Sequence, residues 1–129
     1  MTLRLLFIVL LLSGCLRDET ISGYAPEGAI FALQSIDDQP FTTTATISFP
    51  AQGRITGQAP CNSYAAMQTV PYPWFNAQAI LSSKRACPDL ATEQSFFAAL
   101  SDMTLSEVSG TTLILSNDAG RKMVFTARN

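Results

Sequence analysis

The sequence predicts an α+β domain in which one helix packs on, or plugs, a small curved, barrel-like antiparallel β-sheet. Three observations lead to this fold class. Most of the chain divides into short segments rich in β-branched and apolar residues, separated by turns that contain Gly, Pro, Asn or Asp. Only one stretch has convincing helical periodicity. A length of 129 residues leaves room for a single domain.

A first strand is predicted at residues 29–36, where Phe31 and Leu33 share one alternating face. It ends at the polar turn 37–40, which contains two adjacent aspartates. Paired carboxylates of this kind can bind calcium, but their position in a turn favours solvated charges. We therefore interpret this turn as a structural feature and not as a metal site.

The clearest half-buried strand is predicted at residues 42–49, in which apolar side chains alternate with threonine and serine. Residues 50–53 supply a tight turn, so that 54–58 can pair back as the second arm of a hairpin. Residues 59–64 are then predicted to form a loop around Cys61. Asn62 in this loop is interpreted as a structuring residue whose side chain satisfies backbone groups.

The stretch between Cys61 and Cys87 contains several prolines. Residues 67–72 are predicted to form only a short edge strand, because the prolines at positions 71 and 73 cannot donate to a ladder of hydrogen bonds. A further strand is predicted at residues 74–82. This strand would lead the chain towards Cys87.

The one convincing helix is predicted to run from Asp89 to Met103. Asp89 can cap its first turn, and Glu93 lies near its positive end. Apolar side chains share one face of this helix, namely Leu90, Phe97 and Leu100, and Phe96 and Met103 widen that stripe. Three closing strands are predicted after it, at residues 105–108, 111–116 and 122–127.

The N-terminal segment has the pattern of a secretory leader, since Arg4 precedes an apolar run at residues 5–12 and small residues follow. The run is shorter than the roughly 20 residues that a membrane-spanning helix needs. The order Leu12-Ser13-Gly14-Cys15 resembles the lipobox of bacterial lipoproteins, whose cysteine is lipidated and becomes the first residue after cleavage. We therefore predict a signal peptide at residues 1–14 and lipidation of Cys15. The alternative is an ordinary leader with an incidental cysteine.

Residues 15–28 are polar, contain glycines and a proline, and are predicted to form a lipidated tether to a domain at residues 29–129. The acyl chains would be the protein's contact with the membrane, at about 0.8 kcal/mol for each buried methylene. Leu16 stands where an aspartate is associated with inner-membrane retention in Gram-negative lipoproteins. By this resemblance we predict that the domain is anchored to the outer membrane and faces the periplasm.

Cys61 and Cys87 remain once Cys15 is assigned to lipid, in a chain predicted to mature in an oxidising compartment. A structural disulfide between them is the natural inference. The alternatives are a metal pair and a reactive thiol, but the chain has no histidine and no C-x-x-C spacing. Closing a loop of about 27 residues should stabilise the fold by roughly 3 to 4 kcal/mol.

Composition argues against several classes of function. Once Arg4 is removed with the leader, 7 basic and 10 acidic side chains leave a formal charge of -3, which disfavours nucleic acid as a partner. The basic pairs Lys84-Arg85 and Arg121-Lys122 are interpreted as solvated surface patches. Without histidine, the common catalytic triads and the zinc motif H-E-x-x-H are excluded. We predict no enzymatic activity, no cofactor and no bound metal.

Several short motifs together resemble the META domain, or HslJ-like, family. They are Arg54-Ile55-Thr56-Gly57, Cys61-Asn62, Ala86-Cys87-Pro88, Phe97-x-x-Leu100 and Gly110-x-x-Leu113-x-Leu115. The resemblance extends over about residues 29–127. The chain departs from the family pattern at three positions, with Phe31 for a common Trp, Pro60 for a usual Gly and Arg85 for a frequent Met. The resemblance implies a small α+β domain, often found in envelope lipoproteins and linked in some members to stress, with no known catalytic activity.

The function predicted from these observations is that of a non-enzymatic envelope lipoprotein that binds or supports another envelope component, with a role in stress suggested by the family. Tyr64, Tyr72 and Trp74 are the candidate binding residues, although packing beneath an irregular loop is the favoured explanation for such aromatics. An alternative function is that of a protease inhibitor or modulator that presents a disulfide-stapled loop. An enzyme of unrecognised type is the least favoured class.

Overall fold

The computed structural model describes residues 17–128, and the predicted lipid site at Cys15 lies outside them. Within this range nine strands and one α-helix form the domain. The strands are β1 (Ile30–Ile36), β2 (Gln39–Pro40), β3 (Thr46–Ser48), β4 (Arg54–Gln58), β5 (Ser63–Met67), β6 (Gln78–Ser82), β7 (Leu105–Ser109), β8 (Thr112–Ser116) and β9 (Lys122–Ala127). The helix is α1 (Leu90–Asp102), and a short 3-10 helix, Ile21–Gly23, precedes β1.

All strands pair antiparallel in one sheet, in the order β6-β5-β4-β3-β1-β9-β8-β7, with β2 beside β1. The sheet curls into a half-barrel. The segment just before β6 contacts the last strand of that order, since Trp74 bridges Leu105 and the Phe75 amide donates to the Thr104 carbonyl at 2.8 Å. The predicted α+β class with a curved antiparallel sheet is confirmed.

The core lies on the concave face of the sheet, where side chains at alternate strand positions point inward. Large residues with no solvent exposure fill it, namely Phe31, Ile47, Ile55, Leu113 and Phe125. Helix α1 covers one end of the half-barrel and contributes Phe96, Ala99 and Leu100 to the same core. Its last turn reaches the β8–β9 turn, where the Arg121 guanidinium contacts the Asp102 carboxylate at 2.8 Å.

Part of the segment predicted as a tether packs against the domain. Ile21 is 1% exposed and belongs to the core. The Glu19 carbonyl accepts a hydrogen bond from the Tyr72 amide at 2.8 Å, and the Tyr24 ring stacks on the Tyr72 ring. Burial raises the pKa of Asp18, but hydrogen bonds from Ser22 and Thr20 outweigh it and lower that pKa. The sequence did not predict this packing, because Ile21 is an isolated apolar residue and forms no periodic pattern with its neighbours.

The proline-interrupted stretch differs most from the predicted strands. The edge strand predicted at 67–72 is wrong, because β5 ends at Met67 and the chain then turns around the buried side chain of Gln68. Gln68 donates to the Val70 carbonyl at 2.7 Å and accepts from the Asn76 amide at 3.0 Å. The predicted loop at 59–64 is also shorter than expected, because its last two residues begin β5. Two further predicted strands, 42–49 and 74–82, shorten to β3 and β6.

The helix has the predicted position, and its predicted apolar stripe is buried in part. Asp89 makes no side-chain capping hydrogen bond. The buried apolar positions are Phe96, Ala99 and Leu100, whereas Leu90 and Phe97 are half-buried. Leu100, Phe96 and Met103 of the predicted stripe are therefore buried, and the helix also buries a polar side chain, that of Glu93.

The turn after β1 binds the basic pair that was interpreted as solvated. Asp37 and Asp38 adopt positive φ angles of 50° and 65°. Asp37 pairs with Arg121 at 2.9 Å, and Asp38 pairs with Lys122 at 2.8 Å. The hydrogen bond from Arg121 lowers the pKa of Asp37. Because these groups are exposed to solvent, the ion pairs fix the geometry of the turns more than they stabilise the domain.

Candidate functional site

The predicted disulfide between Cys61 and Cys87 is confirmed, with their Cα atoms 5.8 Å apart. It joins the loop between β4 and β5 to the segment that precedes α1. In residues 17–128 no group of three or more side chains is arranged to hold a metal ion. No helix in the same range is long and apolar enough to cross a membrane.

The buried carboxylate of Glu93 binds the backbone on the Cys61 side of this disulfide. Glu93 is 3% exposed, and its Oε1 accepts hydrogen bonds from the amides of Cys61 at 3.1 Å and Asn62 at 2.8 Å. Its Oε2 accepts from the Asn62 side-chain amide at 2.7 Å. The sequence indicated only an acidic residue near the helix start. Its partners lie 31 and 32 residues earlier in the chain, so that no local pattern identified them.

Asn62 transmits this support to residues 83–86, which we call the stapled loop. Its Oδ1 accepts hydrogen bonds from the Ser83 hydroxyl at 3.0 Å and the Arg85 amide at 2.8 Å. Its Nδ2 donates to the Arg85 carbonyl at 3.1 Å. Asn62 therefore structures the loop, as the sequence predicted. A cavity of about 300 Å³ separates this loop from the first turns of α1.

The stapled loop carries two exposed cations, Lys84 and Arg85. Neither forms an ion pair with another residue between positions 17 and 128. The backbone of this loop is held from below while its side chains face solvent. This arrangement provides an exposed, positively charged loop whose backbone is held by hydrogen bonds, beside the first turns of α1.

The three aromatic residues predicted as a binding surface do not form one. Tyr64 is 4% exposed, packs against Phe96 and Phe97, and donates its hydroxyl hydrogen to the Thr46 carbonyl at 2.7 Å. Burial raises the pKa of Tyr64. The close approach of Tyr64 and Thr46 leaves no room for a side chain at Gly57. Tyr64 belongs to the core because an inward position of β5 places it there.

Tyr72 and Trp74 lie elsewhere, along the segment that contacts β7. The Tyr72 hydroxyl accepts a hydrogen bond from the Val108 amide at 3.1 Å, and its ring stacks on Tyr24 at a centroid distance of 4.3 Å. Trp74 is 58% exposed. Of the predicted aromatic set, Trp74 alone presents a largely free side chain.

A groove that the sequence did not indicate lies on the convex face of β4, β5 and β6. It has a volume of about 390 Å³. Two large aliphatic side chains border it, Met67 at 53% exposure and Leu81 at 73%. Arg54 lies at its rim. We call this feature the edge groove, because β6 ends the strand order of the sheet.

Three solved structures share the fold at low sequence identity. An NMR structure of a protein from Burkholderia xenovorans has a TM-score of 0.64 and 16% identity, over 80% of this chain and 83% of that one. A second NMR structure has a TM-score of 0.60 and 17% identity, over 76% and 87%. The crystal structure of a DUF4847 family protein from Bacteroides vulgatus ATCC 8482 has a TM-score of 0.54 and 16% identity, over 66% and 59%. These likenesses concern the fold alone.

No curated protein sequence matches this chain. The family model of the META domain matches residues 27–129, which include every strand, the helix and both cysteines of the disulfide. The resemblance inferred from the short motifs is thereby confirmed. The chain belongs to the META domain family.

Proposed function

We propose that this protein is a non-enzymatic lipoprotein of the cell envelope whose META domain binds another envelope component through the edge groove. The observation that carries this proposal is the exposure of Leu81, which is 73% accessible on the outermost strand of the sheet. With Met67 it forms a concave apolar surface next to an unpaired strand edge. Apolar surfaces of this kind, rimmed by polar residues, commonly mark contacts with other macromolecules.

The anchor and the domain have a simple spatial relation in this proposal. Asp18, Ser22 and residues 25–28 line a surface with the β3–β4 turn, whereas the first turns of α1 and the stapled loop lie where β4 ends and β5 begins. A lipid on Cys15 would be two residues from Arg17, a reach of about 7 Å in an extended chain. The membrane would therefore adjoin the end of the half-barrel opposite α1. The helix and the stapled loop would face away from it, into the periplasm if the anchor is in the outer membrane.

The anchor is tested by replacing Cys15 with serine. We expect the variant to leave the membrane fraction, or to remain as the uncleaved precursor, because serine has no thiol to accept the lipid. Fractionation combined with intact mass measurement checks this. Wild-type protein should carry the mass of an acylated N-terminal cysteine. A variant that stays membrane-bound in its mature form would contradict the proposal.

The groove is tested by capture from detergent-solubilised membranes with purified tagged protein. Leu81→Asp places a charge on the apolar surface and should reduce recovery of the bound component by about 10-fold or more, as expected when a central apolar contact is lost. Thr42→Asp adds the same charge at an exposed position outside the groove. It should leave recovery unchanged. Equal recovery with both variants would refute the groove as the binding surface.

A second candidate function is protease inhibition, and a specific observation favours it. The stapled loop is exposed, carries two cations, and is held by the Cys61–Cys87 disulfide and by three hydrogen bonds to Asn62. A loop that is already ordered loses little conformational entropy when a partner binds it. This is the physical requirement for a loop that occupies an enzyme cleft.

A further inference from the structure

We propose that residues 82–86 bind in the active cleft of endopeptidases that accept lysine in their primary specificity pocket, with Lys84 as the residue that fills the pocket. This inference rests on the second candidate function, protease inhibition.

The backbone of β6 and the stapled loop alternates between groups that face the domain and groups that face away. Ala65 pairs with Leu81, the Ser83 amide donates to the Ser63 carbonyl at 3.3 Å, and Asn62 binds both backbone groups of Arg85. In an extended chain the intervening residues direct their backbone groups to the opposite side. Residues 82, 84 and 86 therefore direct theirs to the side opposite β5 and Asn62.

These outward groups have no partner among the described residues. β6 is the terminal strand of the sheet, and no residue from 17 to 128 makes a hydrogen bond with the backbone of Lys84 or Ala86. A free extended edge of this kind can be paired by a strand of another protein. Endopeptidases bind substrates as extended segments that pair with the walls of the cleft. Ser82, Lys84 and Ala86 offer backbone groups at the alternate positions that such pairing needs.

Of the two cations in the stapled loop, Lys84 is better placed than Arg85 to fill the specificity pocket of a protease. Its side chain is exposed and its backbone is free, whereas the amide and the carbonyl of Arg85 are both occupied by Asn62. A trypsin-like pocket contains an aspartate that pairs with a basic side chain. An unpaired ammonium group on an exposed loop matches such a pocket.

Rigidity distinguishes an inhibitor from a substrate. The disulfide and the two hydrogen bonds between Asn62 and the Arg85 backbone hold the chain on the C-terminal side of Lys84, and the buried Glu93 holds Asn62 in place. Pairing of β6 with β5 holds the other side. Hydrolysis of the bond from Lys84 to Arg85 would consume one water and form a carboxylate and an amine. Both new ends would remain attached to the domain, so that product release is hindered and turnover is slow.

The test uses the purified full-length mature protein in detergent micelles, with trypsin and a lysine-specific endopeptidase as probes. Residual activity on a chromogenic peptide gives the inhibition constant, and mass spectrometry follows cleavage after Lys84. We expect inhibition of both enzymes and none of chymotrypsin, whose pocket is apolar. Lys84→Ala should weaken inhibition by about 100-fold, as for a central interface residue. The Lys84→Arg variant should still inhibit trypsin but should no longer inhibit the lysine-specific endopeptidase.

Lys122→Ala is the matched control, because it removes a lysine at the same end of the domain. It should inhibit both enzymes as the wild type does. Absence of inhibition, equal inhibition by Lys84→Ala, or cleavage after Lys84 as fast as in an unfolded chain would each overturn the inference. Capture of an envelope component through the edge groove is scored separately, with Leu81→Asp and Lys84→Ala compared side by side. Capture retained by Lys84→Ala would leave the leading function standing when the inhibitor inference fails.

Discussion

Replacing Glu93 with alanine is expected to lower the free energy of unfolding by about 3 to 5 kcal/mol, because it leaves buried donors without acceptors. The carboxylate is 3% exposed and accepts from the Cys61 amide, the Asn62 amide and the Asn62 side chain. Urea unfolding under oxidising conditions would measure the loss. The dependence of the free energy of unfolding on urea concentration should be the same for both proteins, so that the shift in midpoint reports stability.

Two variants separate this network from a general effect of mutation. Glu93→Gln keeps one acceptor oxygen, so we expect a smaller loss of about 1 to 3 kcal/mol. Glu107→Ala removes an exposed acid and should change stability by less than about 0.5 kcal/mol. A Glu93→Ala variant as stable as Glu107→Ala would show that the network contributes nothing. Faster proteolysis within the stapled loop of Glu93→Ala would link the loss to the support of that loop.

Removing the disulfide is the second change with a large expected effect. The cysteines are separated by 26 positions in the chain, and the double variant Cys61→Ala, Cys87→Ala should lose about 3 to 4 kcal/mol through the greater freedom of the unfolded chain. Thermal and urea unfolding of wild-type and variant proteins would give the difference. The Glu93 network still joins the same two segments, so we expect the variant to fold.

The reductant control makes this prediction specific. Wild-type protein with a thiol reductant should lose the same stability as the double variant, whereas the double variant should not respond to reductant. A response of the variant, or an unchanged wild type, would contradict a structural role for the bond. The Cys61 amide also donates to Glu93, so the effects of removing the disulfide and Glu93 should not add, as is usual for residues in direct contact.

The fold could be predicted from the sequence where the determining signals are local. Alternation at residues 29–36, the tight turn before residues 54–58 and helical periodicity near residues 89–103 identified β1, β4 and α1 to within one or two residues. The count of cysteines identified the disulfide, because only one pair remained after Cys15 was assigned. Motif order over most of the chain indicated the META domain family.

The candidate site could not be predicted in the same way. Tyr64 and Trp74 are both aromatic residues near prolines, yet Tyr64 is 4% exposed and Trp74 is 58% exposed. What separates them is the register of β5 against β4, which turns Tyr64 over Gly57 and into the core. Leu81 is an apolar residue in a predicted strand, and its outward-facing position on the terminal strand β6 leaves it 73% exposed.

The sequence by itself determined the fold class, the family, the cysteine pairing and the expectation of a lipid anchor at Cys15. These depend on composition, periodicity and order along the chain. Tertiary structure alone decided that Ile21 belongs to the core, that Glu93 supports the disulfide through Asn62, and that an edge groove and a stapled loop are exposed. The physical reason is that these features depend on hydrogen bonds and contacts between residues far apart in the chain, which neighbouring residues do not encode.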